Sequence, residues 1–110
     1  MRQVGILAAA GLWALDHNLE RLGADHDRAR WLARECDEME GLRADVPDTN
    51  IVMIYLEREG LDEATVVTAL EARGVRILAV GPGRLRAVTH LDVDDEGIEL
   101  CLETLSKTVA

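Results

Sequence analysis

Hydrophobic and polar residues change their spacing along this chain, and each change marks an element. From about Gln3 to His17 the residues are apolar nearly all round a helical circumference, with Val4, Ile6, Leu7, Leu12, Trp13 and Leu15 on its several sides. A helix of that kind expects protein on more than one face. From about Leu19 to Met39 the pattern becomes one-sided: Leu22, Ala29, Leu32, Cys36 and Met39 share a face, while Arg28, Arg30, Glu35 and Asp37 fall elsewhere. Gly41 offers a left-handed stop, and Leu42 to Val46 predicts a short strand before a turn at Pro47-Asp48.

Ile51 to Leu56 is an unbroken apolar run containing β-branched residues, the pattern of a central strand covered on both faces. Asp62 and Glu63 open a helix that carries Ala64, Val67 and Leu70 inward and stops at Gly74, and Val75 to Val80 predicts the next strand. Past the Gly81-Pro82-Gly83 turn, Leu85, Ala87 and Thr89 alternate with Arg86, Val88 and His90, which predicts a strand with two unlike faces. Asp94 is the N-cap of a last helix whose apolar face uses Ile98, Cys101, Leu102 and Leu105. This order predicts an α/β fold, a two-layer sandwich of helices on a small, largely antiparallel sheet.

Composition narrows the function classes. A chain of 110 residues, 48% hydrophobic and 30% charged, suits one globular domain with a modest core. Acidic residues number 21 against 12 basic ones, for a formal net charge of -9, and the basic residues are scattered. Nothing resembles the cationic stripe that nucleic acid or an anionic membrane requires. The apolar run after Arg2 imitates a secretory signal, yet it ends in Trp13-Ala14-Leu15-Asp16-His17 rather than a small-x-small cleavage site. It is also shorter than the ~20 apolar residues of a membrane span, so a buried helix is the reading. Cys36 and Cys101 lie in helical apolar patterns with no CxxC and no partnered histidine spacing. They read as reduced core thiols, a usage that suits a cytoplasmic protein.

Candidate chemistry centres on Arg86. On a strand, a guanidinium presents a rigid fork of donors that matches a carboxylate or phosphate bidentately. On spacing alone, an arginine on the solvated face of a half-exposed strand is the commoner arrangement. Gly81-Pro82-Gly83 begins like a phosphate-cradling GxGxxG, but Arg86 takes the third glycine's place and no helix follows, so it is a turn. His90 and Asp92, with His17 and His26 distant, lack a third metal ligand at helical or strand spacing, and no metal site is expected. Trp13 and Trp31 read as packing or interface residues. Lys107, the only lysine, stands three residues from the C-terminus on an amphipathic helix, where a cation favours the helix dipole.

Four blocks carry a resemblance. Met1-Arg2-Gln3-Val4-Gly5-Ile6-Leu7-Ala8-Ala9-Ala10-Gly11-Leu12 is similar to an MRQ-x-GILAAAG helix start; Arg21-Leu22-Gly23-Ala24-Asp25-His26 to an RL-x-x-DH helix; Asp48-Thr49-Asn50-Ile51-Val52 to a TN strand start; and Arg86-Ala87-Val88-Thr89-His90-Leu91-Asp92-Val93 to a late strand. Together, and in this order, they resemble the L-threonine aldolases, pyridoxal-phosphate lyases of the aspartate-aminotransferase-like fold family. The blocks span nearly the whole chain but only the C-terminal part of such an enzyme. The resemblance implies that residues 1–110 are the small C-terminal domain, with the apolar first helix as its link.

What the family does is implied with it: retro-aldol cleavage of threonine or allo-threonine to glycine and acetaldehyde. Arg86 matches the arginine that grips the substrate α-carboxylate, an anchor and not an acid or base. Arg2 matches the arginine of the MRQ motif, which lies near the active site at the subunit interface and helps hold the cofactor phosphate region; a charged residue at a frayed terminus is the alternative for it. The Schiff-base lysine would lie upstream of Met1, beyond the triple glycine, together with the large domain that cradles the cofactor. This chain alone is therefore expected to hold no pyridoxal phosphate and to be inactive, because Lys107 cannot supply an enclosed amine. Its implied partners are the upstream cofactor-binding domain and a neighbouring subunit of a homo-oligomer. A stand-alone, non-catalytic interaction or oligomerisation domain, associating through its first helix, is the other reading.

Overall fold

The computed structural model describes residues 8, 9, 12, 22–90 and 93–109. The helix expected from Gln3 to His17, with Trp13 on it, lies largely outside the described residues, as does Arg2 before it. The elements after it are α1 (Leu22–Glu38), β1 (Leu42–Ala44), β2 (Ile51–Leu56), α2 (Glu63–Glu71), β3 (Leu78–Gly81), β4 (Arg84–Val88) and α3 (Asp95–Val109).

The strands form a four-stranded sheet in the order β1-β2-β4-β3, and every neighbouring pair is antiparallel. β2 and β4 are thus the central strands. Helices pack on one side: α1 lies on β1 and β2, α2 meets β3, and α3 bridges α1 and α2. Leu85 and Ala87 of β4 face this layer beside Ile54 and Val52 of β2, their partners in register. Ala29, Leu32 and Cys36 from α1, Val66 and Leu70 from α2, and Ile98, Cys101 and Leu105 from α3 close the core over them. The expected two-layer α/β sandwich on a small antiparallel sheet is what forms.

Several local expectations need correction. Among the described residues, β2 is fully covered on one face only: Val52 and Ile54 are buried, but Ile51 is 42% exposed and Met53 and Tyr55 are half-buried. A continuous apolar run shows that both faces avoid water, yet cannot say whether the same domain supplies both covers. Leu22, assigned to the inward face of α1, is 47% exposed at the start of that helix. In α2 the buried stripe is Val66 and Leu70, with Val67 at its margin and Ala64 outward. The Asp62 cap sets the phase of that helix, its carboxylate accepting Thr65 N at 2.7 Å, and the i, i+4 pair then lands on the core. β1 ends at Ala44, leaving Val46 70% exposed, and β3 begins only at Leu78.

The hairpin between β3 and β4 is held from outside as well as by its own strands. Gly83 turns with φ +67°, a conformation that L side chains rarely adopt. Its carbonyl accepts Leu56 N at 2.8 Å and its amide donates to the Glu63 carboxylate at 3.2 Å. The turn is thereby tied to the end of β2 and the start of α2, which fixes where β4 begins.

Candidate functional site

Among the described residues, the face of the sheet turned away from α1, α2 and α3 carries arginines on an otherwise acidic chain. Antiparallel register places cross-strand partners on the same face, so Arg43 stands beside Tyr55, Tyr55 beside Arg84, Met53 beside Arg86, and Ile51 beside Val88. From the other side, Leu78 of β3 flanks Arg86. Leu78 and Val88 are 57% and 40% exposed, so this face combines apolar surface with cationic groups.

Its three arginines sit in different surroundings. The Arg43 guanidinium lies over the Tyr55 ring, 4.1 Å from its centroid, and pairs with Glu57 and Asp45 at 3.1 Å each. Arg84 folds across the hairpin, so that a Cβ built on Gly81 would meet its Nη2 at 2.5 Å. Arg86 differs. It is half-buried between Met53 and Leu78, and its Nε is screened from water without a hydrogen-bond partner among the described residues. A guanidinium held among apolar neighbours with unused donors is set up to receive an anion, best a planar one matching its fork.

The far end of β4 is fastened as firmly as its start. Thr89 is buried, and its hydroxyl donates to Asp25 O in the first turn of α1 at 2.7 Å. Its amide donates to Asn50 O at 3.0 Å, and its carbonyl accepts Asn50 Nδ2 at 2.5 Å. Sequence reading placed Thr89 on the alternating strand and Asn50 at a strand start but gave neither a role. The available signal was a hydroxyl at a position where the alternation demands an apolar side chain.

Other sequence candidates resolve differently. Lys107 is 67% exposed and pairs with Glu103 at 2.7 Å, an interaction that draws the Glu103 carboxyl below its ordinary range, with Arg73 adding to it. An exposed, ion-paired ammonium does not fit the enclosed amine that pyridoxal phosphate needs, so no step is assigned to that cofactor on this chain. Cys36 and Cys101 are free and buried; desolvation raises their thiols, to about 12 and about 11, and at Cys36 the Cys101 thiol and the Glu35 and Asp37 carboxylates add to the rise. His90 is exposed at the lip of a cleft of about 310 Å³ between β4 and α3, and Asp92 lies outside the described residues. Among the described residues, no three His, Cys, Asp or Glu side chains gather as a metal site, and no helix is long and apolar enough to cross a membrane. Trp31 packs against the core. Arg2, the second site candidate, lies outside the described residues.

Comparison with known proteins agrees with this architecture. The chain superimposes with a TM-score of 0.75 and 22% identity on the cystine C-S lyase C-DES in complex with its reaction product cysteine persulfide, over 93% of this chain and 28% of that one. A C-DES mutant with glycine covalently linked to its PLP cofactor matches with a TM-score of 0.74. At that identity the likeness establishes the fold, that of PLP-dependent enzymes of the aspartate-aminotransferase-like type. In sequence, the chain is 45% identical over 98 residues to the low specificity L-threonine aldolase of Escherichia coli, covering 87% of this chain and 27% of that protein. It is 30% identical over 112 residues to the low-specificity L-threonine aldolase 1 of Arabidopsis thaliana, covering 99% and 31%. The chain thus spans less than a third of the length of these relatives. The model of the beta-eliminating lyase family matches residues 1–59, and with the relatives and the fold it places the chain in that family as a threonine-aldolase-like domain.

Proposed function

We propose that this chain acts as the C-terminal domain of an L-threonine aldolase and that Arg86 holds the α-carboxylate of the substrate. The reading is supported above all by one observation: Arg86 is the open-face arginine whose guanidinium is half-buried between Met53 and Leu78 and uncommitted among the described residues. A bidentate grip on the carboxylate fixes the orientation of the amino acid, so that the bond between its α- and β-carbons is the one presented for cleavage. Threonine or allo-threonine would then yield glycine and acetaldehyde. Arg86 positions and neutralises; it neither gives nor takes a proton.

The exposed apolar residues around Arg86 support a partner on this face, since Ile51, Leu78 and Val88 surround a site that works only with water excluded. In this reading the partners are the cofactor-binding part of the enzyme and a neighbouring subunit of a cytoplasmic homo-oligomer. The amine that binds pyridoxal phosphate comes from outside these residues, while Arg2 serves the cofactor phosphate region at the subunit boundary. The 110-residue chain with added pyridoxal phosphate and threonine is expected to release no acetaldehyde.

The decisive experiment is Arg86→Lys in a complete enzyme carrying this domain. It should raise KM for threonine and lower kcat/KM by roughly 10- to 1000-fold, because a planar fork becomes one flexible contact. Cofactor binding should hardly change. Parental kinetic constants in this variant would return Arg86 to an ordinary surface arginine.

A further inference from the structure

We infer that Thr89 is a positioning residue for Arg86; this rests on Arg86 being the carboxylate anchor. Arg86 has no hydrogen bond from its Nε to steer it among the described residues, so its place is set by the backbone of β4. That backbone is held at two ends. At the start, Gly83 is bonded to Leu56 and Glu63. At the finish, Thr89 is gripped by Asn50 through both its amide and its carbonyl, and by Asp25 through its hydroxyl.

The finishing bracket joins three separate parts of the chain, the residue before β2, the residue after β4 and the first turn of α1. It therefore fixes β4 both along the sheet and against the helix layer. A threonine is well suited to this position: a β-branched side chain has little χ1 freedom, so the buried Thr89 hydroxyl stays directed at the Asp25 carbonyl. Valine would keep the shape but delete this tie between β4 and α1. Three residues from the guanidinium, loosening of this end lets the strand tilt and fray, and a misplacement of about 1 Å at an anchoring group is enough to weaken a reaction substantially.

The test is a double-mutant cycle in a complete enzyme carrying this domain, with L-threonine as substrate. Thr89→Val should raise KM about 3- to 30-fold with kcat changed far less, and Thr89→Ser, which restores the hydroxyl, should recover most of the loss. In an Arg86→Lys background the same Thr89→Val should move KM by less than about 2-fold, because its effect passes through the arginine. Equal fold-changes in both backgrounds, or a parental KM for Thr89→Val beside a raised KM for Arg86→Lys, would overturn the positioning role and leave the anchor standing. A parental KM for Arg86→Lys removes the anchor itself, and the positioning role with it. Should Thr89→Val not fold, Asn50→Ala is read in the same way, since it removes one bond of the bracket without touching the core. On the 110-residue chain, hydrogen exchange supplies a readout without turnover: amides of β4 should exchange faster in Thr89→Val while those of α3 keep parental rates, and unchanged β4 protection contradicts the inference.

Discussion

Gly41 and Arg58 are packed against each other where α1 hands over to the sheet. The Gly41 carbonyl accepts Arg58 N at 3.3 Å and Glu57 N at 2.8 Å, and a Cβ on Gly41 would come within 3.1 Å of the Arg58 Cβ. Arg58 in turn donates through Nη1 to the carbonyl of Val109 at the end of α3. One close contact therefore links the ends of α1, β2 and α3.

Gly41→Ala should consequently destabilise the fold. Gly41 has φ +93°, and the left-handed region alone costs an L-residue about 1–2 kcal/mol, to which the crowding at Arg58 adds. Urea unfolding should show a lower midpoint with an unchanged slope; an unaltered midpoint would mean that the Arg58 side chain and the turn yield freely.

Leu85→Ala tests the core from β4. Leu85 is fully buried beside Ile54, and truncation should cost about 2–5 kcal/mol, a large part of the stability of a domain this size. A loss below about 1 kcal/mol would show that the helix layer collapses into the space.

The Asp62 cap gives a pH-dependent outcome. Its carboxyl is held below the ordinary range, chiefly by the Thr65 backbone amide. A folded-state pKa lower than the unfolded one contributes stability above the unfolded value of about 3.9, and that contribution fades as pH falls through the folded value. Asp62→Ala should thus melt below the parent at pH 7, and the two curves should converge in acid. A constant gap across that range would assign the effect to helix propensity instead of the charge.

For Cys36 and Cys101 the sign is opposite. Thiols raised to about 12 and about 11 in the folded chain favour folding below the ordinary thiol value, and that advantage is lost as pH climbs through the raised values. The native chain should be labile in alkali, and a disulfide reagent at pH 8 should modify neither thiol faster than the domain opens. Rapid native labelling of Cys101, which borders the cleft beside α3, would show access by that route.

The sequence made the alternation of Leu85, Ala87 and Thr89 plain, and with it the two faces of β4, because a strand's period of two is local information. Caps at Asp62 and Asp94 were equally readable: Asp94 accepts Gly97 N at 2.8 Å as its place before an apolar helix suggested. The bareness of the Ile51 side of β2 was not readable, since apolar residues look alike whether their cover belongs to the same domain or another. Nor was the grip of Asn50 and Asp25 on Thr89, which joins residues 39 and 64 positions apart and leaves no periodic trace. Arg86 was singled out by family resemblance and by a donor fork on a strand; its place between Met53 and Leu78 depends on strand register, which the sequence does not print.

Among the described residues, the sheet has one side packed by helices and one side without them, so the residues that hold the fold differ from those that face outward. Val52, Ile54, Leu85 and Ala87 maintain the fold, whereas Met53, Arg84 and Val88 of the same strands, and Leu78 of β3 beside them, stand outside the core between sheet and helices. Substitutions in the second set can therefore change the chemistry of the open face while the first set stays constant. The domain is in that sense a printing plate: a fixed backing, with type that can be reset.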